Sequence, residues 1–222
     1  MTFLYDEKAI DYLKTKDKTL GKIIDTIGHV ERATDDDLFT SVIHHIIGQQ
    51  ISTKALTTIW QRMQDDLEII NVETIVQASI TKLQSYGMTF RKAEYIQDFA
   101  LKVKNGSLDL EALWDKSDDE VISELSSLKG IGKWTAEMIL LFCMQRLDVF
   151  SYDDLAILRG LRMVYRHRKI DYKLFEKYRR RYSPYGSVAS LYLWAVAGGA
   201  IPELTDPAIK RSQKPKIKEA TK

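Results

Sequence analysis

Two glycines, two adjacent aspartates and two tryptophans are the residues of this 222-residue chain whose types and spacing could do chemistry. In the stretch S-S-L-K-G-I-G-K-W at 126–134, Gly130 and Gly132 interrupt an otherwise apolar helical pattern that resumes at Trp134 and Met138. Such a turn lets another backbone approach closely, and the helix after it offers unpaired N–H groups and a positive dipole end, a natural seat for a phosphate. The bland alternative is an ordinary αα-hairpin in which the glycines only reverse the chain. Asp153 and Asp154 stand together at the next helix start, where a carboxylate either caps the helix or serves as a reactive group. Trp134 and Trp194 can stack on a base or a cation, or can fill a core. Gln49 and Gln50, in the short loop G-Q-Q-I-S, can donate and accept toward base edges or simply be solvated. Phe90, beside Arg91 and Lys92 after a glycine break at Gly87, is either an apolar wedge for a base stack or a staple packing a helix start.

The elements that must hold these residues all read as helices. Leu38, Val42 and Ile46 form one apolar row and Phe39, Ile43 and Ile47 another, so the segment ending at Gly48 is buried on nearly all sides. Ser52 caps a helix over 53–63. Shorter helices follow at 72–77, 81–85 and 108–114, with a longer one from Arg91 to about Asn105-Gly106. Acidic residues Asp118, Asp119 and Glu120 open the helix before the glycine turn. Beyond it come helices over 154–164, over 171–182 with a basic side (Lys173, Lys177, Arg179, Arg180, Arg181), and over 188–197 capped by Ser187. Strand-like alternation of convincing length is missing, so the expected class is all-α. We expect one all-α domain over 1–205, built as two helical lobes with the hairpin at 118–146, and a basic tail over 206–222.

Composition narrows the partners. With 45% hydrophobic and 29% charged residues the chain is neither disordered nor membrane-like, and no apolar run approaches the roughly 20 residues of a bilayer span. The first residues, M-T-F-L-Y-D-E-K, lack the basic and apolar regions of a signal peptide, so a cytoplasmic protein is expected, acting without a membrane. The single cysteine, Cys143, excludes an intrachain disulfide and a cysteine-ligated cluster; on an apolar helix it reads as a buried, inert thiol. The net charge of +2 is a weak nucleic-acid signal, and residues 206–222 supply six of the basic and two of the acidic residues, leaving 27 basic against 29 acidic elsewhere. Any DNA-binding surface must therefore concentrate its positive charge locally.

Taken together, L-K-G-I-G at 128–132, W-T-A-E at 134–137 and D-V-F-S-Y-D-D-L-A-I at 148–157, with Asp154 lying 20 residues after Trp134, resemble the helix-hairpin-helix DNA glycosylase superfamily. The alkylpurine branch, that of 3-methyladenine DNA glycosylase II and its small all-helical relatives, is the nearest pattern. That resemblance implies a two-lobed fold with the active site in the cleft between lobes and Asp154 as the catalytic carboxylate. It also implies a base pocket from Trp134, Trp194 and Met138, and DNA contacts from Gly130, Gly132, Lys133, Thr135, Gln49, Gln50 and Phe90. Breaking an N-glycosidic bond builds positive charge on the sugar, which a carboxylate stabilises while orienting or deprotonating water. An alkylated purine already carries positive charge, so one aspartate suffices. Related strand-cleaving enzymes carry a lysine where Trp134 stands, so the implied activity is a monofunctional hydrolase of base excision repair acting on alkylated double-stranded DNA as a monomer. Where this branch has a tyrosine the chain has Met138, a weaker surface for a cation, which leaves the range of excised bases open. No cofactor is required by this reading and no iron–sulfur cluster is expected. The backbone carbonyls of Ser126, Leu128 and Gly130 correspond to those that in the family hold a monovalent cation facing a DNA phosphate. The rivals are a glycosylase for oxidised or mismatched bases and a helix-hairpin-helix protein that binds DNA without chemistry.

Overall fold

The computed structural model describes residues 1–208; the basic stretch 209–222 expected as a tail lies outside the described residues. Among the described residues twelve α-helices follow one another: α1 (Glu7–Lys16), α2 (Lys18–Ile27), α3 (Leu38–Gly48), α4 (Thr53–Leu67), α5 (Val72–Gln77), α6 (Ile80–Ser85), α7 (Phe90–Lys104), α8 (Asp118–Ser126), α9 (Lys133–Phe142), α10 (Leu155–Tyr165), α11 (Tyr172–Tyr182) and α12 (Gly186–Ala197). The segment 108–114 differs from expectation: only a turn of 3₁₀ helix, Ala112–Asp115, forms there. Among the described residues the sole β feature is an isolated bridge between Thr2 and Ala33. Among the described residues no helix is long and apolar enough to cross a membrane.

The helices sort into two groups. α3 to α7 pack around one another and α8 packs on α9, which in turn meets α3; α1 and α2 pack with α10, α11 and α12, so the chain leaves the second group after α2 and returns to it after α9. The closest packing is that of α10 on α12, where a Cβ on Gly160 would stand 2.4 Å from the carbonyl oxygen of Leu193. Only glycine permits that approach. Side-chain caps start nearly every helix: Asp6, Asp17, Asp37, Ser52, Asn71, Ser79, Thr89, Ser117, Asp154 and Asp171 each accept a backbone N–H two or three residues on. Ser187, expected as a cap, instead sits inside α12, accepts from the Val149 N–H and donates to the Arg146 carbonyl. It thereby fastens the loop leading to Asp154 onto α12. Asp206, expected in the tail, is held to α10 by both Nε and an amino nitrogen of Arg162, which draws its carboxyl pKa down to about 2.

Candidate active site

Among the described residues α9 is one of two α-helices whose first turn has no side-chain cap; its N-cap is Gly132. The N–H groups at this end therefore point outward without a side-chain partner. Gly130 takes φ +83°, and a Cβ added to it would lie 2.3 Å from Cδ2 of Tyr95, so the ring fills the space that makes the turn tight. Nothing lies within 4 Å of a Cβ placed on Gly132, and Gly132 and Lys133 are exposed. Thr135, expected at the DNA, is buried, and its hydroxyl lies 3.5 Å from Gln49 Nε2.

The loop after α3 braces this hairpin. Gln49 Nε2 donates to the Gly130 carbonyl at 2.7 Å, so its amide is committed to protein rather than turned toward base edges as expected from sequence. Gln50, with φ +58° and an exposed side chain, is left to face outward. Lys92, one of the two cations beside Phe90, donates to the carbonyls of Ile47 and Gln49, and burial pulls its pKa below the ordinary lysine value. Phe90 is the first residue of α7 and is 53% exposed, so it staples nothing. A cleft of about 460 Å³ lies beside it, lined by Gln49, Gln50, Thr89, Arg91, Lys92 and Tyr95.

Asp154 is the point where the two helix groups meet chemically. It is the N-cap of α10 and only 6% exposed. Oδ1 accepts from the backbone N–H groups of Ala156 (2.8 Å) and Ile157 (2.9 Å) and from Trp194 Nε1 (3.2 Å). Oδ2 accepts from Trp134 Nε1 alone, at 3.1 Å. Four donors and no acceptor face this carboxylate, a setting complementary to negative charge. Cap and candidate catalyst, alternatives in the sequence, are one residue, and Asp153 beside it is exposed. A carboxylate has about four lone-pair sites, so Oδ2 keeps one open.

The two indoles come from different helices. Trp134 is 41% exposed in the first turn of α9, whereas Trp194 on α12 stacks on Phe142 with ring centroids 5.6 Å apart, and the Arg32 guanidinium lies 5.3 Å from the same phenylalanine ring. Met138, one turn beyond Trp134, is buried. Phe142 and Arg32 escaped the sequence reading because nothing local marks a stacking partner. Cys143 ends α9 buried, and desolvation pushes its thiol up to about 12, so it stays protonated and unreactive at neutral pH.

Glu137 also went unnoticed. It is 7% exposed on α9, accepts from the hydroxyl of fully buried Ser151 three residues before Asp154, and lies 3.8 Å from the Lys133 ammonium. It ties the helix bearing Trp134 to the loop bearing Asp154. Desolvation raises its pKa above the ordinary glutamate value. The folded protein thus holds this proton more tightly than the unfolded chain, so ionisation of Glu137 erodes stability as pH rises from the ordinary carboxylate range through the folded value. Glu137→Gln keeps an acceptor for Ser151 without that penalty. It is expected to raise Tm at neutral pH and to lose the gain in acid; a Tm difference that ignores pH would refute this account.

The fold is shared with known proteins. Residues 43–184 match the family model described as HhH-GPD superfamily base excision DNA repair protein. The structure of a DNA-3-methyladenine glycosidase from Bacillus halodurans is similar with a TM-score of 0.82 at 33% identity, covering 92% of this chain and 95% of that one. A 3-methyladenine DNA glycosylase of Schizosaccharomyces pombe in complex with abasic DNA gives a TM-score of 0.74 at 27% identity, covering 86% and 97%. The DNA-3-methyladenine glycosylase of Saccharomyces cerevisiae is 28% identical, over 74% of this chain and 68% of its own. Helical architecture, an uncapped glycine hairpin and a family match spanning more than half the chain lead to one assignment: this protein belongs to the HhH-GPD superfamily of base excision DNA repair proteins.

Proposed function

We propose that this protein is a monofunctional DNA glycosylase that removes alkylated purines, of the 3-methyladenine and 7-methylguanine type, from double-stranded DNA by hydrolysing the N-glycosidic bond. One observation carries this reading above the rest: a buried carboxylate, Asp154, held by indole N–H groups from Trp134 at the mouth of the hairpin and Trp194 on α12. The relatives named 3-methyladenine glycosylases support it.

The roles follow from the geometry. The open N-terminus of α9, with Gly132 and exposed Lys133, receives a phosphate of the damaged strand. Phe90, exposed at the tip of its turn, fills the gap in the base stack when the nucleotide leaves it, and Gln50 reaches the neighbouring bases. The exposed Trp134 lies against the flipped, positively charged purine, an interaction worth about 1–3 kcal/mol per stacked base. Trp194 and Met138 close the pocket behind it. Asp154 Oδ2, the oxygen with a free lone pair, faces the anomeric carbon as positive charge grows there, and Trp134 keeps it aimed. An indole cannot form a Schiff base with the sugar, and the Lys133 ammonium is drawn toward Glu137, so base release occurs without strand cleavage.

A monovalent cation at the hairpin belongs to this proposal. The carbonyls of Leu128 and Gly130 each accept one hydrogen bond, from the Ile131 N–H and Gln49, which leaves a lone pair on each. Ser126 ends α8, where carbonyls lack intrahelical partners, so the residues fit. When bound, the ion supplies positive charge opposite a DNA phosphate.

The deciding measurement is which free base appears when the protein is incubated with DNA treated with a methylating agent. We expect 3-methyladenine and 7-methylguanine with the strand left intact. Release of an oxidised base instead, or of none, would overturn the proposal.

A further inference from the structure

The basic side of α11 has no part in the site described above, and the structure divides it. Arg179 pairs with Asp148 and Arg181 with Asp17, so these two are structural. Lys173, Lys177 and Arg180 remain: all three are exposed and, at spacings of four and three, line the solvent face opposite Phe175, Tyr178 and Tyr182. Among the described residues none of the three pairs with a carboxylate. Arg166, Arg168 and Lys169, just before α11, are exposed as well. Residues 166–182 hold eight basic against two acidic side chains, in a chain whose net charge is only +2. This is the local concentration of positive charge that a nearly neutral DNA-binding protein needs.

Its position suits DNA. The exposed ring of Tyr172, at the start of α11, packs edge-on against Tyr152, two residues before Asp154, at 5.3 Å. Lys133 of the hairpin and Tyr172 line the same cleft of about 150 Å³. The lining of that cleft holds five acidic side chains, Asp118, Asp119, Glu137, Asp148 and Glu176, against the two cations Lys133 and Arg179, an excess that repels a phosphate from its interior. A strand gripped at the hairpin therefore passes over the mouth and meets positive charge again along α11, whose stripe from residue 173 to 180 is about 10 Å long.

We propose that Lys173, Lys177 and Arg180, extended by the cations at 166–169, form a second phosphate track that holds duplex flanking the lesion, on the side of the active-site loop away from the hairpin. The inference rests on the DNA glycosylase reading. Its test is the triple variant Lys173→Ala, Lys177→Ala, Arg180→Ala, all exposed and all replaced by a good helix former. Affinity for an undamaged duplex of about 30 base pairs is measured across salt concentrations, beside single-turnover base release at saturating methylated DNA. Three lost phosphate contacts should lower the slope of log affinity against log salt by about 2 to 3 while base release at saturation stays at the wild-type rate. The control Lys102→Ala, Lys104→Ala, about 20 Å along α7 from Phe90, should leave the slope unchanged. An unchanged slope in the triple variant, or an equal fall in the control, overturns the track. A wild-type protein that binds no duplex and releases no base overturns the glycosylase reading itself.

Discussion

Asp154→Asn is expected to slow base release by about a thousandfold while the protein still folds and binds DNA. The factor follows from what the carboxylate does: one preorganised group that stabilises charge developing in a transition state, such as an oxyanion-hole donor, is worth about 10²–10³ in rate, a full charge stands at the upper end, and a thousandfold corresponds to about 4 kcal/mol of transition-state stabilisation. The fold survives because asparagine caps helices as well as aspartate does. Its single oxygen can still accept from the N–H groups of Ala156 and Ile157 and from Trp194. What changes is the other end of the side chain. An NH₂ in place of Oδ2 would face the indole N–H of Trp134, two donors where there had been a donor and an acceptor. The variant thus loses both the charge and the bond from Trp134 that aims it, and neither loss removes the backbone N–H groups at the open N-terminus of α9. Base release is measured under single turnover on methylated duplex, beside Tm and affinity. Wild-type excision would remove Asp154 from the mechanism; lost excision with a collapsed Tm would mean that the cap, not the charge, is its contribution.

The double duty of Asp154 shows where sequence reasoning stops. Helices were legible because their apolar residues recur at 3.6-residue spacing and because Ser52, Asp154 and Asp171 announce helix starts in one-dimensional terms. The 20-residue interval between Trp134 and Asp154 was legible too, but not the hydrogen bond between them, which depends on how α9 and α10 fold toward each other. Polar side chains with long-range partners failed for the same reason. Gln49, Lys92, Arg179 and Arg181 look like surface groups in sequence and Ser187 like a helix cap, yet each is claimed by a partner distant in the chain: a hairpin carbonyl, the carbonyls of Ile47 and Gln49, Asp148, Asp17 and the loop before Asp154. A solvated lysine and one that fastens two carbonyls have identical local patterns. Only the packed surroundings decide which it becomes.

Gly130→Ala should be the most damaging change to the hairpin. The backbone there has φ +83°, which costs a residue with a side chain about 1–3 kcal/mol. The new methyl would also overlap the Tyr95 ring, 2.3 Å from Cδ2 and 2.7 Å from Cε2, and forcing a filled space apart costs about 1–3 kcal/mol more. For a chain of this size the sum lowers Tm by roughly 4–24 °C. The functional consequence arises because the same residue's carbonyl is the anchor for Gln49, so relief of the overlap shifts the turn that feeds the open N-terminus of α9. Duplex affinity should weaken, with a salt slope smaller by about one phosphate contact. A double-mutant cycle separates the two causes. In a Tyr95→Ala background the ring is gone and the φ penalty stays, so Gly130→Ala should cost distinctly less there than in the wild type. If it costs the same in both, steric overlap is not its origin, and the tightness of the turn is set by the backbone alone.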